Sequence, residues 1–280
     1  MSFEHGVRLK VAYDGTEFCG WQAQPNDRTV QGVVEDALTA MGLAHTRVRG
    51  CSRTDSGVHA EGQIAAFACN REIKPRGWVL ALNGLLPDDV AIVEAAPCAP
   101  RYDPRFDSVK KLYRYRISVG MSRDPLSRRQ AWQVTPRFGR KDIDSRTRRR
   151  IVGDFLDLER MNRVARGLEG KHNFHAFRSV RDTRDNTIRT LFDVRVLPEF
   201  GGEAHALAIE VVGDAFMKNM VRILVGTLVE VGRHKMTPEF ALGLLDGGKR
   251  PDAGPTAPAN GLTLVHIWLG RQVASQESPS

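Results

Sequence analysis

The chain has 280 residues, and 41 lysines and arginines against 33 aspartates and glutamates leave a net charge of +8. Hydrophobic residues make up 41% and charged residues 26%, an ordinary soluble composition, and no apolar run approaches the roughly 20 residues a membrane-spanning helix needs. The N-terminus, MSFEHGVRLK, has no signal-peptide apolar stretch, so a cytoplasmic protein with no membrane partner is expected. Val7–Tyr13 alternates apolar and polar residues, as a half-buried strand does, and Asp14-Gly15 marks the turn after it. Val30, Val33, Val34, Ala37, Leu38 and Met41 fall at helical spacing, with Thr29 placed to cap the start and Gly42 to end it. Gln63–Cys69 predicts a short buried strand, Trp78–Leu86 a helix and Val90–Ala96 a strand. The two prolines of CAPRYDPRF suggest a crossing between subdomains.

Lys110–Val119 again has period two, with Tyr113, Tyr115 and Ile117 on one face and Arg114 and Arg116 on the other. Arg137–Arg150 carries seven basic and two acidic residues and predicts either a solvated charge run or an arm that grips phosphates. Leu158, Met161, Val164, Ala165 and Leu168 outline an amphipathic helix, and TIRTLFDVRVL and HALAIEVV predict strands. Phe216–Gly232 is apolar enough for a buried helix, and PEFALGLL predicts a shorter one. A Pro/Gly loop, PDAGPTAPANG, precedes the closing strand LTLVHIWL. The expected class is α/β (α+β): two similar subdomains, each a mostly antiparallel sheet with helices on one face. Their expected extents are 1–104 and 105–271, with 272–280 a flexible tail.

The four cysteines, Cys19, Cys51, Cys69 and Cys98, are scattered without a C-x-x-C pair, which predicts free, mostly packed thiols and no zinc site. The pI near 9.6 favours a polyanionic partner, most often nucleic acid.

The densest cluster of reactive side chains is CSRTDSGVHAEGQ, Cys51–Gln63. Its D-S-G resembles the nucleophile stretch of trypsin-like proteases, but Asp55 adjoins Ser56 and no G-x-S-x-G elbow is present. His59 has no H-E-x-x-H setting, and His172 and His175 have no carboxylate or cysteine at metal-ligand spacing. Asp55 stands two residues after Arg53 and two before Gly57, which suits a tight loop that presents a carboxylate. A nearby guanidinium favours the ionised form, and an ionised, positioned carboxylate serves as base, nucleophile or electrostatic stabiliser. On spacing alone the plainer alternative, an Asx-turn with a surface Arg–Asp pair, is favoured.

RTDSGVHA resembles the R-T-D-A-G-V-H-A signature of the tRNA pseudouridine synthase A family. YDGTEFCGWQ, TVQGVVEDAL, LNGLLPDDVAI, RFDSVKKLYRYRI, NFHAF, FMKNMVRILVGTLVEVG and PANGLTLVHI resemble further blocks of that family, in order over nearly the whole chain. The resemblance implies isomerisation of uridine to pseudouridine at positions 38, 39 and 40 of the tRNA anticodon arm, with no metal or organic cofactor. It implies Asp55 as catalytic carboxylate, Tyr113 as the ring that stacks on the flipped base, and Arg53 as the group that displaces the target nucleotide and holds RNA. It places Arg222 against the carboxylate, with the active site in a cleft between the subdomains, and His59 joins the expected substrate-binding residues. It further implies a homodimer in which one tRNA contacts both subunits. Ser56 stands where the family usually has Ala, Ile223-Leu224 replaces Asn-Ile or Ile-Ile, and Leu112 replaces a frequently polar residue. Residues 137–150 match no family block. A tRNA-binding protein that folds RNA without modifying it, and a hydrolase that cuts N-glycosidic bonds, are the rival expectations.

Overall fold

A computed structural model describes residues 3–120, 122–135 and 152–270, so the basic segment 137–150 and the expected tail lie outside the described residues. In chain order the first elements are β1 (His5–Tyr13), α1 (Val30–Ala40), β2 (Arg49–Gly50), β3 (His59–Cys69), α2 (Pro75–Asn83), β4 (Val90–Cys98) and α3 (Pro104–Asp107). There follow β5 (Ser108–Val119), β6 (Trp132–Val134), α4 (Leu158–Gly167), β7 (Gly170–Asn173), β8 (Ile188–Pro198), β9 (Ala206–Gly213), α5 (Met220–Gly232), α6 (Pro238–Gly243) and β10 (Leu262–Leu269). Two compact units form, one of residues up to 111 together with those from 263, the other of residues 112–262. Chain order alone groups the closing strand with the second half, but it pairs in parallel with β3 of the first unit, Thr263 opposite His59 and Leu264 opposite Ala60.

The first unit has strand order β4-β1-β3-β10, with β2 on β3. Val7, Leu9 and Val11 of β1 are each at most 4% exposed, as the alternation predicts. Antiparallel register sets Val7 opposite Phe67 and Leu9 opposite Ala65, so these side chains share a face. On that face the Trp78 ring of α2 meets Phe67 edge-on at 5.2 Å. Fully burying one such side chain contributes about 1.5–3 kcal/mol. β3 lies between β1 and β10, and its continuous run of Ala, Ile, Phe and Cys is buried on both faces. α1 opens on Thr29, whose hydroxyl accepts from the Gly32 N–H at 3.3 Å, and closes into Gly42 at φ +79°.

The second unit has strand order β5-β9-β8-β7, with β6 parallel to β5. Its core is α5, whose apolar residues face every direction: Met220, Val221 and all of residues 223–229 are buried. The Pro/Gly loop lies directly on this helix. A Cβ on Gly226 would stand within bonding distance of the Pro255 carbonyl, and the Gly254 N–H donates to the Thr227 hydroxyl at 2.9 Å. No helix of the described residues is long and apolar enough to cross a membrane. The thiols are unpaired: Cys51 and Cys69 are buried, Cys98 half-buried and Cys19 exposed. Burial pushes the Cys98 thiol up to about 11.

Candidate active site

The loop before β3 is held by the segment after β1. The Thr54 carbonyl accepts from the Trp21 N–H at 3.2 Å, and the Thr54 and Tyr13 hydroxyls hydrogen-bond at 2.8 Å. The Phe18 carbonyl accepts from the Gly57 N–H at 3.2 Å and from the Ser56 hydroxyl at 3.1 Å. The Val58 N–H closes a turn onto the Asp55 carbonyl at 3.2 Å, and Gly57 takes φ +76° inside it. At the other end the Gln63 amide brackets Ser52, donating to its carbonyl and accepting from its N–H. Within this frame Thr54 is buried, Asp55 is half-buried and Arg53 and Ser56 are exposed. A carboxylate is therefore presented from a rigid loop, and the serine beside it is tied by its hydroxyl to the scaffold.

His59 begins β3 and is only 6% exposed. Its Nδ1 stands 3.1 Å from the Gly15 N–H nitrogen and 3.1 Å from Asp14 Oδ1. A neutral Nδ1 accepts from Gly15, whereas a protonated one donates to Asp14, so the ring braces the turn after β1 in either state. Gly20 sits at φ +91°, and a Cβ there would stand 2.6 Å from the Thr54 carbonyl oxygen. Gly20→Ala combines left-handed strain of about 1–2 kcal/mol with overpacking of about 1–3 kcal/mol. We expect urea titration to show roughly 2–5 kcal/mol less stability, together with lower activity.

In the second unit Tyr113 of β5 is 5% exposed, and Phe216 packs edge-to-face on it at 5.1 Å and 80°. Arg222 lies in the first turn of α5 and is half-buried. Its Nε donates to the Ala257 carbonyl at 2.7 Å and its Nη1 to Asn219 Oδ1 at 3.0 Å. The Ala257 N–H returns to the Arg222 carbonyl at 3.1 Å, locking the Pro/Gly loop to the helix. Asn219 is at φ +61°, which turns the chain into α5. The same loop is anchored again at Pro258, whose carbonyl accepts from the Tyr115 hydroxyl at 2.7 Å. Burial pushes the pKa of that hydroxyl up, so it stays a donor.

A family model described as tRNA pseudouridine synthase matches residues 10–107 and 164–268. The tRNA pseudouridine synthase A of Geobacter sulfurreducens is 40% identical over 93% of this chain and 98% of its own length. Those of Citrifermentans bemidjiense and Myxococcus xanthus are each 38% identical over 94% of the chain, covering 96% and 91% of their own lengths. The chain belongs to the tRNA pseudouridine synthase family. Asp55 and Arg222 fall within the residues matched to the tRNA pseudouridine synthase model, and Tyr113 falls in the interval between its two matched segments. Pseudouridine synthases are isomerases, and the mixed α/β fold with its mostly antiparallel pairing accords with that family.

Sequence patterning alone misses the residues that hold these groups. It reads Tyr13 only as the end of a strand, although the Tyr13 hydroxyl reaches the Asp55 loop. Asp182 and Arg184 sit in a polar stretch without a pattern, RSVRDTRDN. Their D-x-R spacing is the available signal. Among the described residues no three His, Cys, Asp or Glu side chains gather as a metal site.

Proposed function

We propose that the protein converts uridine to pseudouridine at positions 38, 39 and 40 of the tRNA anticodon arm, with Asp55 as the nucleophile. The observation that carries this is the half-buried Asp55, presented on a loop whose ties run through its neighbours, in a chain of this family. In the reaction the C1′–N1 bond breaks, the uracil turns, and C1′ bonds to C5. The C5 hydrogen leaves as a proton and N1 gains one, so the product has the mass of the substrate and no co-reactant is consumed.

The target base must leave its stack to reach a carboxylate, and the exposed Arg53, two residues from Asp55, is suited to replace it in the helix. Tyr113 supplies a flat face for the extruded uracil, and Phe216 fixes the tilt of that face. At 5% exposure the ring accepts a base only as the entering nucleotide displaces what covers it. Arg222 supplies a cation whose direction is set by the Ala257 carbonyl and Asn219, and the family resemblance supports an electrostatic role for it in the reaction. His59 is buried against Asp14 and Gly15, which supports a role in holding the loop in place of direct contact with RNA. The net charge of +8 favours backbone contacts that read tRNA shape. The protein acts as a cytoplasmic homodimer on one tRNA, a feature supported by the family resemblance.

Incubation of an unmodified tRNA transcript with the protein, followed by carbodiimide mapping, tests this function. Marks confined to the anticodon arm are expected. Free uracil would indicate an N-glycosidic hydrolase, and tight binding without marks a non-catalytic tRNA binder. If Tyr113 acts by stacking, Tyr113→Phe keeps most of the activity. Tyr113→Leu loses about 1–3 kcal/mol of base stacking, or roughly 5- to 150-fold in rate. Equal losses from the two, measured in single turnover, would assign the role to the hydroxyl.

A further inference from the structure

Residues 216–219, which lead into α5 and carry both Phe216 and Asn219, are held by one ion pair with a buried carboxylate. Asp182 is 8% exposed. Its Oδ1 accepts from Arg184 Nε at 2.9 Å, and its Oδ2 accepts from Arg184 Nη2 at 2.6 Å. The same Oδ2 accepts from the Lys218 N–H at 2.9 Å, and Oδ1 from the Arg184 N–H at 3.2 Å. Arg184 Nη1 then reaches the Phe216 carbonyl at 3.4 Å, and the Ser179 N–H donates to the Lys218 carbonyl at 3.0 Å. Both peptide groups on either side of Met217 are therefore fixed from a single carboxylate and its guanidinium partner. Phe216 bears on Tyr113, and Asn219 bears on Arg222.

We propose that Asp182, with Arg184, is a positioning residue for the isomerisation, setting the Tyr113 ring through Phe216 and the Arg222 guanidinium through Asn219. It rests on the function proposed above and touches neither base nor reacting atom. A charged acceptor is suited to the task because it takes four hydrogen bonds at once, and charge-assisted bonds of this kind are shorter and stronger than neutral ones. The Arg184 hydrogen bonds, outweighing burial, hold the Asp182 carboxyl well below the usual carboxylate range. The sign of that shift means the pair's stabilisation is fully present above the ordinary carboxylate range and is lost only as pH falls through the lowered value. The clamp is accordingly closed at neutral pH, and Asp182 adds no inflection to the rate profile there.

Asp182→Asn keeps the shape of the side chain and removes the charge. In single turnover on a tRNA transcript we expect the rate to fall roughly 10- to 100-fold, the cost of misplacing reacting groups by about an ångström. The Kd for tRNA should stay within about threefold, since no RNA contact is lost. Because Asp182 and Phe216 act through one segment, Asp182→Asn combined with Phe216→Leu should lose less than the product of the single losses. Arg184→Lys, at a position half exposed to solvent, keeps the charge and should recover part of the rate that Arg184→Gln loses; it serves where Asp182→Asn does not fold. A wild-type rate in Asp182→Asn, or fully multiplicative losses in the double variant, would overturn the proposal. So would equal rates in Arg184→Lys and Arg184→Gln. Wild-type protein run alongside separates the cases: no pseudouridine from it removes the underlying function, whereas active wild type with a normal Asp182→Asn removes only the role of Asp182.

Discussion

Asp55→Asn is expected to slow pseudouridine formation by more than about 10⁴-fold in single turnover, the scale of loss when an essential nucleophile is removed. The amide has nearly the volume of the carboxylate but no charge and little nucleophilicity. The loop that carries it should persist, because Thr54 is fixed by Tyr13 and Trp21, and Ser56 and Gly57 by Phe18. Unchanged thermal unfolding and tRNA affinity, measured on the same preparation, separate lost chemistry from lost structure. A loss of less than about tenfold would assign the nucleophile elsewhere.

Arg222→Gln is expected to cost roughly 10²- to 10³-fold, the range seen when one preorganised electrostatic donor is removed from a reacting centre. Two hydrogen bonds, to the Ala257 carbonyl and to Asn219 Oδ1, fix the direction of the guanidinium before any substrate arrives. Glutamine keeps part of that reach and loses the cation. Arg222→Lys keeps the cation but replaces a planar fork with a flexible point charge, so an intermediate rate is expected. Equal rates for Gln and Lys would show that direction matters and charge does not. Single-turnover rates at saturating tRNA give the comparison.

Elements with strong periodicity are legible in the sequence. β1 alternates as expected, and α1 begins and ends on its polar cap and its glycine. The helix expected over Trp78–Leu86 instead spans Pro75–Asn83. Pro75 takes the first turn, where its missing N–H is not needed, and the Asn83 side chain stops the helix by bracketing Ile92 at 2.7 and 2.9 Å. β3 starts at His59, four residues ahead of the apolar run, because strand pairing with β1 and β10 extends through polar residues. β7 is invisible to patterning because GKHN has no apolar alternation, and only its antiparallel register with β8 makes it a strand.

The most consequential difference lies at Phe216. The apolar run Phe216–Gly232 predicts one helix, yet the helix begins at Met220. Asn219 turns left-handed, and the residues before it are tied to Asp182 and Arg184 across the chain. Local propensity favours helix there, and long-range hydrogen bonds to the Asp182–Arg184 pair prevail. The candidate groups themselves are legible only through ordered family motifs, since spacing alone favours a plain turn around Asp55. Of their supports, Tyr13 and Ala257 come from distant segments that no local pattern connects, whereas Asn219 stands three residues before Arg222.

The most direct test of the central claim uses tRNA carrying tritium at C5 of its uridines. Bonding of C1′ to C5 expels that hydrogen, so wild-type protein should release tritium into water in step with pseudouridine and without free uracil, and Asp55→Asn should release none above background. Tritium release by Asp55→Asn at the wild-type rate would contradict the assignment of Asp55 as nucleophile.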